Sequence, residues 1–117
     1  MQLDERVHGE SVVVDVHGSL NRGFDDPAAL LARIRALANH GYKSIVLNVE
    51  ELTDADSMAV GTLAHAYISA NRIGAALKLV HVMPQLRRLL EITKLDRVIE
   101  AVDSEEPDTH PVRTPTS

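Results

Sequence analysis

The residues best suited to chemistry lie in one short acidic stretch. Its carboxylates are Glu50, Glu51, Asp54 and Asp56, and Ser57 follows them directly at the start of a predicted helix. Residues of these types at a helix start accept hydrogen bonds from the unpaired N–H groups of the first turn. A phosphate on Ser57 would also be favoured there by the positive end of the helix, and would add about −1.5 to −2 charge. The stretch is therefore open to two interpretations, a helix cap and a phosphorylation switch.

The sequence lacks the sets of residues that metal binding and nucleophilic catalysis require. Asp54 and Asp56 could bind Mg²⁺, but neither a third ligand group nor a phosphate-binding glycine loop accompanies them. The six His residues contain no pair spaced by three or four positions, as a helical zinc site requires, and there is no Cys. No Ser–His–Asp arrangement can be assembled. We therefore predict a protein that is not an enzyme, with no catalytic residue, no cofactor and no metal.

Composition narrows the class of protein further. A chain of 117 residues suits one domain, and 12 basic against 17 acidic residues give a net charge of −5. With that charge and 3% aromatic residues, the chain lacks the excess of basic side chains that binds phosphates and the aromatic side chains on which bases stack. We therefore predict no nucleic-acid partner. No apolar run is long enough to cross a bilayer. The N-terminus is charged from its fourth residue, which is not typical of a signal peptide. We expect a cytoplasmic protein without membrane insertion.

The elements that would position the acidic stretch follow the order ββαβαβαβ, which predicts a mixed α/β sheet. An N-terminal hairpin turns at Gly9 and Glu10, and the later strands are expected to be parallel. The predicted strands are 3–7, 11–17, 44–49, 77–82 and 98–102. The predicted helices begin at Asp26 and Pro27, at Ser57 and at Pro84.

Two further predictions concern the second helix and the end of the chain. The helix should run over 57–73, with an inward face formed by Val60, Leu63, Ala64, Tyr67 and Ala70. From Asp103 onward the sequence is rich in Pro, Ser, Thr and acidic residues. We therefore divide the chain into a domain over 1–102 and a disordered acidic tail over 103–117.

The stretches 12–21, 44–57 and 77–98, taken in this order, resemble the STAS domain of anti-sigma factor antagonists, and the likeness covers about residues 3–103. The first, 12–21, reads VVVDVHGSLN and is similar to the second strand and early turn of the family. The second, 44–57, reads SIVLNVEELTDADS and is similar to the strand that leads into the family's serine signature. The third, 77–98, is similar to the final strand–helix–strand unit.

The resemblance implies a mixed sheet, with an N-terminal hairpin followed by parallel strands and with helices packed mainly on one face. It also implies a partner-switching protein that binds a serine-kinase anti-sigma factor while it is unphosphorylated. The kinase would then phosphorylate a serine and release its antagonist, and a serine phosphatase would reset the cycle. Ser57 matches the phosphorylated serine, and Asp56 matches the acidic residue before it, which orients the loop.

The same resemblance implies a docking face on the second helix and the loops beside it. The partner-binding residues that it suggests are Asn21, Asp54, Asp56, Ser57, Met58 and Ala59. Three of these residues depart from the family. The family usually has Asp where this chain has Asn21, Ser or Thr where it has Met58, and Gly where it has Ala59. Met58 and Ala59 favour an alternative, a non-switching STAS scaffold of a stress-sensing complex or a lipid-transport system. The charged edge strand over 3–7 is compatible with a monomer or a weak dimer.

Overall fold

The computed structural model describes residues 2–17, 27–52 and 57–102. The strands are β1 (Gln2–His8), β2 (Ser11–His17), β3 (Ser44–Asn48), β4 (Ala76–Val80) and β5 (Glu100–Val102). The helices are α1 (Pro27–Asn39), α2 (Ser57–Ile73) and α3 (Pro84–Ile92), and a short 3₁₀ helix spans Leu95–Arg97. The predicted cap at Asp26 and the predicted tail over 103–117 lie outside the described residues.

The five strands form one sheet in the order β1-β2-β3-β4-β5. β1 is antiparallel to β2, and each later strand is parallel to the one before it. Gly9 closes the hairpin with a φ of 62°, a left-handed conformation that glycine adopts without steric cost. Each pair of consecutive parallel strands is connected through a helix, as a parallel pairing requires. The predicted mixed sheet is therefore confirmed.

Four of the five strands differ from their predicted bounds by one or two residues, and the backbone conformation explains the two larger shifts, at the end of β4 and at the start of β5. β4 ends at Val80, since His81 has a φ of 60° and cannot continue an extended strand. Lys94 has a φ of 67° and introduces the 3₁₀ helix, so β5 begins only at Glu100. Ile99 lies within the predicted strand, but it precedes β5; it is buried and donates its N–H to the carbonyl oxygen of Leu95 at 2.9 Å.

One face of the sheet carries the main hydrophobic core. Val14, Leu47 and Leu79 project from neighbouring strands into a cluster that all three helices complete. The helical members of the cluster include Leu30, Ile34, Leu63, Leu86 and Leu90. The opposite face has a smaller buried cluster of Val13, Val46 and Val80, which among the described residues draws only on strands. The helices therefore pack mainly on one face, as predicted.

The buried face of α2 is wider than the predicted one. Ala59, Thr62 and Ala66 are buried, whereas Ala64 and Tyr67, which the pattern placed inward, are only half-buried. The pattern gave weight to large side chains, but α2 lies between α1 and α3 and contacts both. A helix packed between two others buries a wider arc, and small residues on that arc allow it close approach to the sheet.

A matched pair of substitutions on α2 tests this packing. Leu63 is fully buried, so Leu63→Ala should lower the free energy of unfolding by about 2–5 kcal/mol. Ile68 is 47% exposed, and Ile68→Ala should change it by about 0.5 kcal/mol or less. Urea unfolding followed by circular dichroism measures both, and equal losses would contradict the burial pattern.

Candidate functional site

The predicted site residues that the structure describes lie at the N-terminal end of α2. Ser57 is the first residue of the helix and is exposed, Met58 is half-buried and Ala59 is fully buried. The other predicted members, Asn21, Asp54 and Asp56, lie outside the described residues. Ala59 contributes its methyl group to the core, so its side chain is not available to a partner.

Buried residues fix the chain directly before the acidic stretch and within it. Val49 donates its N–H to the carbonyl oxygen of Val80 at 3.1 Å. Leu52 donates its N–H to the carbonyl oxygen of Val49 at 3.0 Å. Both side chains are buried, at 0% and 1% exposure. Beyond the stretch, the Thr62 hydroxyl donates to the carbonyl oxygen of Met58 at 2.9 Å inside the first turns of α2. The hydroxyl of Ser57 is thus presented from a helix that is firmly packed.

The position of Ser57 also has an electrostatic consequence. The first N–H groups of a helix lack intrahelical partners, and the aligned peptide dipoles leave partial positive charge at this end. α2 is 17 residues long, so this effect is fully developed. An anionic group on the Ser57 oxygen would be stabilised there without any further basic side chain.

The outer surface of α2 continues from Ser57 as an exposed row of residues. Gly61, His65, Ile68 and Arg72 follow at spacings of three or four residues, which places them on one side of the helix. A Cβ atom built on Gly61 meets nothing within 4 Å, so the backbone is open to close approach at that point. We call this row the α2 docking face, after the docking role that the resemblance implies for this helix, which stays a prediction. Helical spacing from Ser57 indicates Gly61 and Ile68 as members of the same exposed side, although the sequence pattern alone does not single them out.

A polar network crosses the sheet face opposite the helices. The Arg6 guanidinium donates two hydrogen bonds to the Asp15 carboxylate, at 2.9 and 2.6 Å. Asn48 donates to the same carboxylate at 2.8 Å and accepts from the backbone N–H of Glu50 at 3.1 Å. Burial opposes the charge on Asp15, but the bonds from Arg6 and Asn48 outweigh it and lower the pKa below the usual 3.8.

His17 lies at the end of β2, two residues beyond Asp15, and contacts two carboxylates. Its Nδ1 is 3.0 Å from Oε2 of Glu51, and its Nε2 is 3.0 Å from Oδ2 of Asp4. The hydrogen bond with Glu51 raises the pKa of His17 above 6.5; burial opposes this rise, and the charges of Glu51 and Asp4 add to it. Sequence reasoning missed these contacts because they join positions that only the strand register brings together.

Neither a metal site nor a membrane span is found in the described part of the chain. Within 2–17, 27–52 and 57–102, no three residues of the types His, Cys, Asp and Glu are grouped so that they could hold an ion. None of the helices described is long and apolar enough to cross a bilayer.

Comparison with known proteins gives a consistent family likeness. The model of the STAS domain family matches residues 3–108. A Thermotoga neapolitana protein, named as a homologue of TM1081 and a candidate anti-sigma factor antagonist, is 30% identical over 66 residues, or 56% of this chain. The match spans 58% of that relative, little more than half its length.

Solved structures share the fold at lower identity. The crystal structure of TM1081 from Thermotoga maritima is 19% identical, with a TM-score of 0.72 over 88% of this chain and 87% of that one. The anti-sigma factor antagonist SpoIIAA, unphosphorylated, is 23% identical, with a TM-score of 0.68 over 89% of both chains. Phosphorylated SpoIIAA of Bacillus is also 23% identical, with a TM-score of 0.64 over 89% of this chain and 92% of that one. At these identities the likeness shows the fold alone.

From this polar network we predict how the free energy of unfolding changes as the pH is lowered. Because the pKa of Asp15 is lowered in the folded state, its contribution is present above the usual value of 3.8 and is lost as the pH falls through the folded pKa. Asp15→Asn should cost about 1 kcal/mol at neutral pH, an estimate that allows for the exposure of Arg6.

Denaturant unfolding at several pH values between about 5 and 2 measures this dependence. The stability of Asp15→Asn should fall less steeply with acid than that of the unsubstituted protein. Asp96→Asn, a change at an exposed residue of the 3₁₀ helix, is the control and should leave the slope unchanged. Identical slopes in all three proteins would rule out the role of Asp15.

Proposed function

Because this chain belongs to the STAS domain family, we propose that it is an anti-sigma factor antagonist that works by phosphorylation-controlled partner switching. Unphosphorylated, it binds an anti-sigma factor that is a serine kinase, and phosphate transferred to Ser57 releases that partner. A serine phosphatase restores the binding form. The chain itself carries out no catalytic step and acts in the cytoplasm as a monomer or a weak dimer.

The observation that carries the proposal is the exposed position of Ser57 at the first residue of a long helix. The helix terminus stabilises a phosphate on the Ser57 oxygen, because its unpaired N–H groups and its dipole favour negative charge. The added charge of about −1.5 to −2 would stand close in sequence to Glu50, Glu51, Asp54 and Asp56. A partner that docks against a small hydroxyl would then meet a strongly repulsive surface.

The α2 docking face supplies the contact area beside this switch. Gly61 allows the partner backbone to approach closely, and the exposed Ile68 offers an apolar anchor further along the same side. Met58 is half-buried at the start of the helix, where it adds a flexible apolar surface next to the hydroxyl. Interfaces of this kind combine an apolar centre with a polar rim.

A constitutive scaffold is the alternative function. Met58 and Ala59 favour it, because they replace the residues usual for the family at the phosphorylation motif while preserving the packing of α2. In that case the docking face binds its partner permanently and Ser57 is only a residue of the first helical turn. A neighbouring gene for a serine-kinase anti-sigma factor supports the switch, whereas one for a transporter supports the scaffold.

Phosphorylation at Ser57 is directly testable. Incubation with the cognate kinase and ATP should add one phosphate, located on Ser57 by mass mapping, and phosphorylation should weaken binding to the kinase. Ser57→Ala should abolish phosphorylation while retaining binding, and Ser57→Asp should weaken binding. Ser69→Ala, on the half-buried side of the same helix, is the matched control. Phosphate on another residue, or an unchanged cellular output for Ser57→Ala, would exclude the switch.

The α2 docking face can be tested separately from the switch. Gly61→Ala should stabilise the fold by up to about 1 kcal/mol, because the new methyl group meets no atom and alanine favours helices. The same methyl group should weaken partner binding by keeping the partner backbone away. Ile68→Lys should weaken binding with little change in stability, and Arg35→Ala, an exposed change on α1, serves as control. If both docking-face variants bind the partner as tightly as the unsubstituted protein does, the interface lies elsewhere on the molecule.

A further inference from the structure

We propose that His17, in its doubly protonated form, is a positioning residue that ties the β1–β2 hairpin to the segment leading into α2, and so makes partner docking at Ser57 dependent on pH. Its partners are Asp4 of β1 and Glu51, which follows β3. We call these three residues the His17 clamp. The docking part of this inference rests on the proposed function, whereas the clamp itself does not.

The geometry specifies the protonation state. Ionised carboxylates only accept hydrogen bonds, and a neutral imidazole has one N–H to donate. Both ring nitrogens of His17 lie 3.0 Å from a carboxylate oxygen. Both contacts can be hydrogen bonds only when both nitrogens carry a proton, so the complete clamp requires the imidazolium form.

The charged groups facing His17 from each described element favour that form. Asp4 lies on β1, Asp15 on β2 itself, and Glu51 on the connection after β3. All three are acidic, and the Arg6 guanidinium that neutralises this region is engaged by Asp15. Asp4 and Glu51 are both more than half exposed, so solvent and salt moderate the attraction.

The clamp lies at the edge of the sheet where the proposed switch is presented. His17 ends β2, and Glu51 comes shortly after the end of the parallel strand β3, so both are at the carboxyl edge of the sheet. α2 begins after that same edge with Ser57. Loss of the proton leaves His17 with one N–H for two carboxylates, so one of the two hydrogen bonds is lost, and it makes the net charge of the clamp one unit more negative. Both changes weaken the hold on Glu51, which precedes Ser57 in the chain.

Histidine titration by NMR tests the clamp without any partner. The ring nitrogen signals of His17 should report a pKa above 6.5, and Asp4→Asn or Glu51→Gln should each lower it. Glu50→Gln is the matched control, because this exposed neighbour contacts the network through its backbone N–H alone among the contacts described. A His17 pKa at or below 6.5, or equal effects of Glu51→Gln and Glu50→Gln, would overturn the clamp.

Unfolding measurements give a second readout with a defined sign. A pKa raised by folding means that the clamp stabilises the protein below about pH 6.5, and that this contribution is lost as the pH rises through the folded pKa. The difference in stability between the unsubstituted protein and His17→Gln should therefore shrink from about pH 5.5 to about pH 8.5. A difference that is constant over this range would show a merely structural role.

Binding of the kinase partner tests the link to function. Its dissociation constant should rise about two- to fivefold between about pH 6 and pH 8, in keeping with one exposed ion-pair cluster, and His17→Gln should flatten that rise. Binding that is tight but equally pH-dependent in His17→Gln would overturn the positioning role while leaving the proposed function intact. Failure to bind at every pH, with a normal His17 titration, would instead refute the proposed function.

Discussion

The burial of β3 on both faces is the constraint on which the rest of this structure depends. Ile45 and Leu47 face the helices, and Val46 lies in the smaller cluster on the opposite side, all with 2% exposure or less. A strand with apolar side chains on both faces cannot lie at an edge, so it requires a hydrogen-bonded neighbour on each side. β2 and β4 provide these neighbours, and the parallel connections to them require the helices that cover one face.

This arrangement leaves the other face of the sheet with a mixed character. Its centre is apolar, but toward β1 and the end of β2 it carries Arg6, Asp15 and His17. Side chains on alternate positions of a strand point to the same face, so the antiparallel pairing of β1 and β2 puts Arg6 on the same face as Asp15 and diagonally across from it, where the two side chains form an ion pair. The network on this face is thus a product of strand pairing, and it reaches the segment before α2 through Asn48 and Glu51.

The central position of α2 gives this helix a buried inner side and an exposed outer side. Its inner side uses small residues such as Ala59, Ala66 and Ala70 to pack closely between the sheet and the neighbouring helices. Its outer side remains exposed from Ser57 to Ile68. Because the helix is held by its buried side, the proposed phosphorylation of its first residue would change the charge of the exposed surface without disturbing the core.

The sequence by itself determined the element order, the hairpin, the bounds of β2 and α2, and the position of Ser57 at a helix start. These follow from short-range signals: β-branched runs, a proline or glycine at the helix ends, and apolar periodicity. Only the tertiary structure decided which side of α2 is buried, where His81 and Lys94 turn the chain, and that His17 joins Asp4 to Glu51. Those features depend on packing between helices and on register between strands, which bring together residues distant in the chain and therefore leave no local pattern in the sequence.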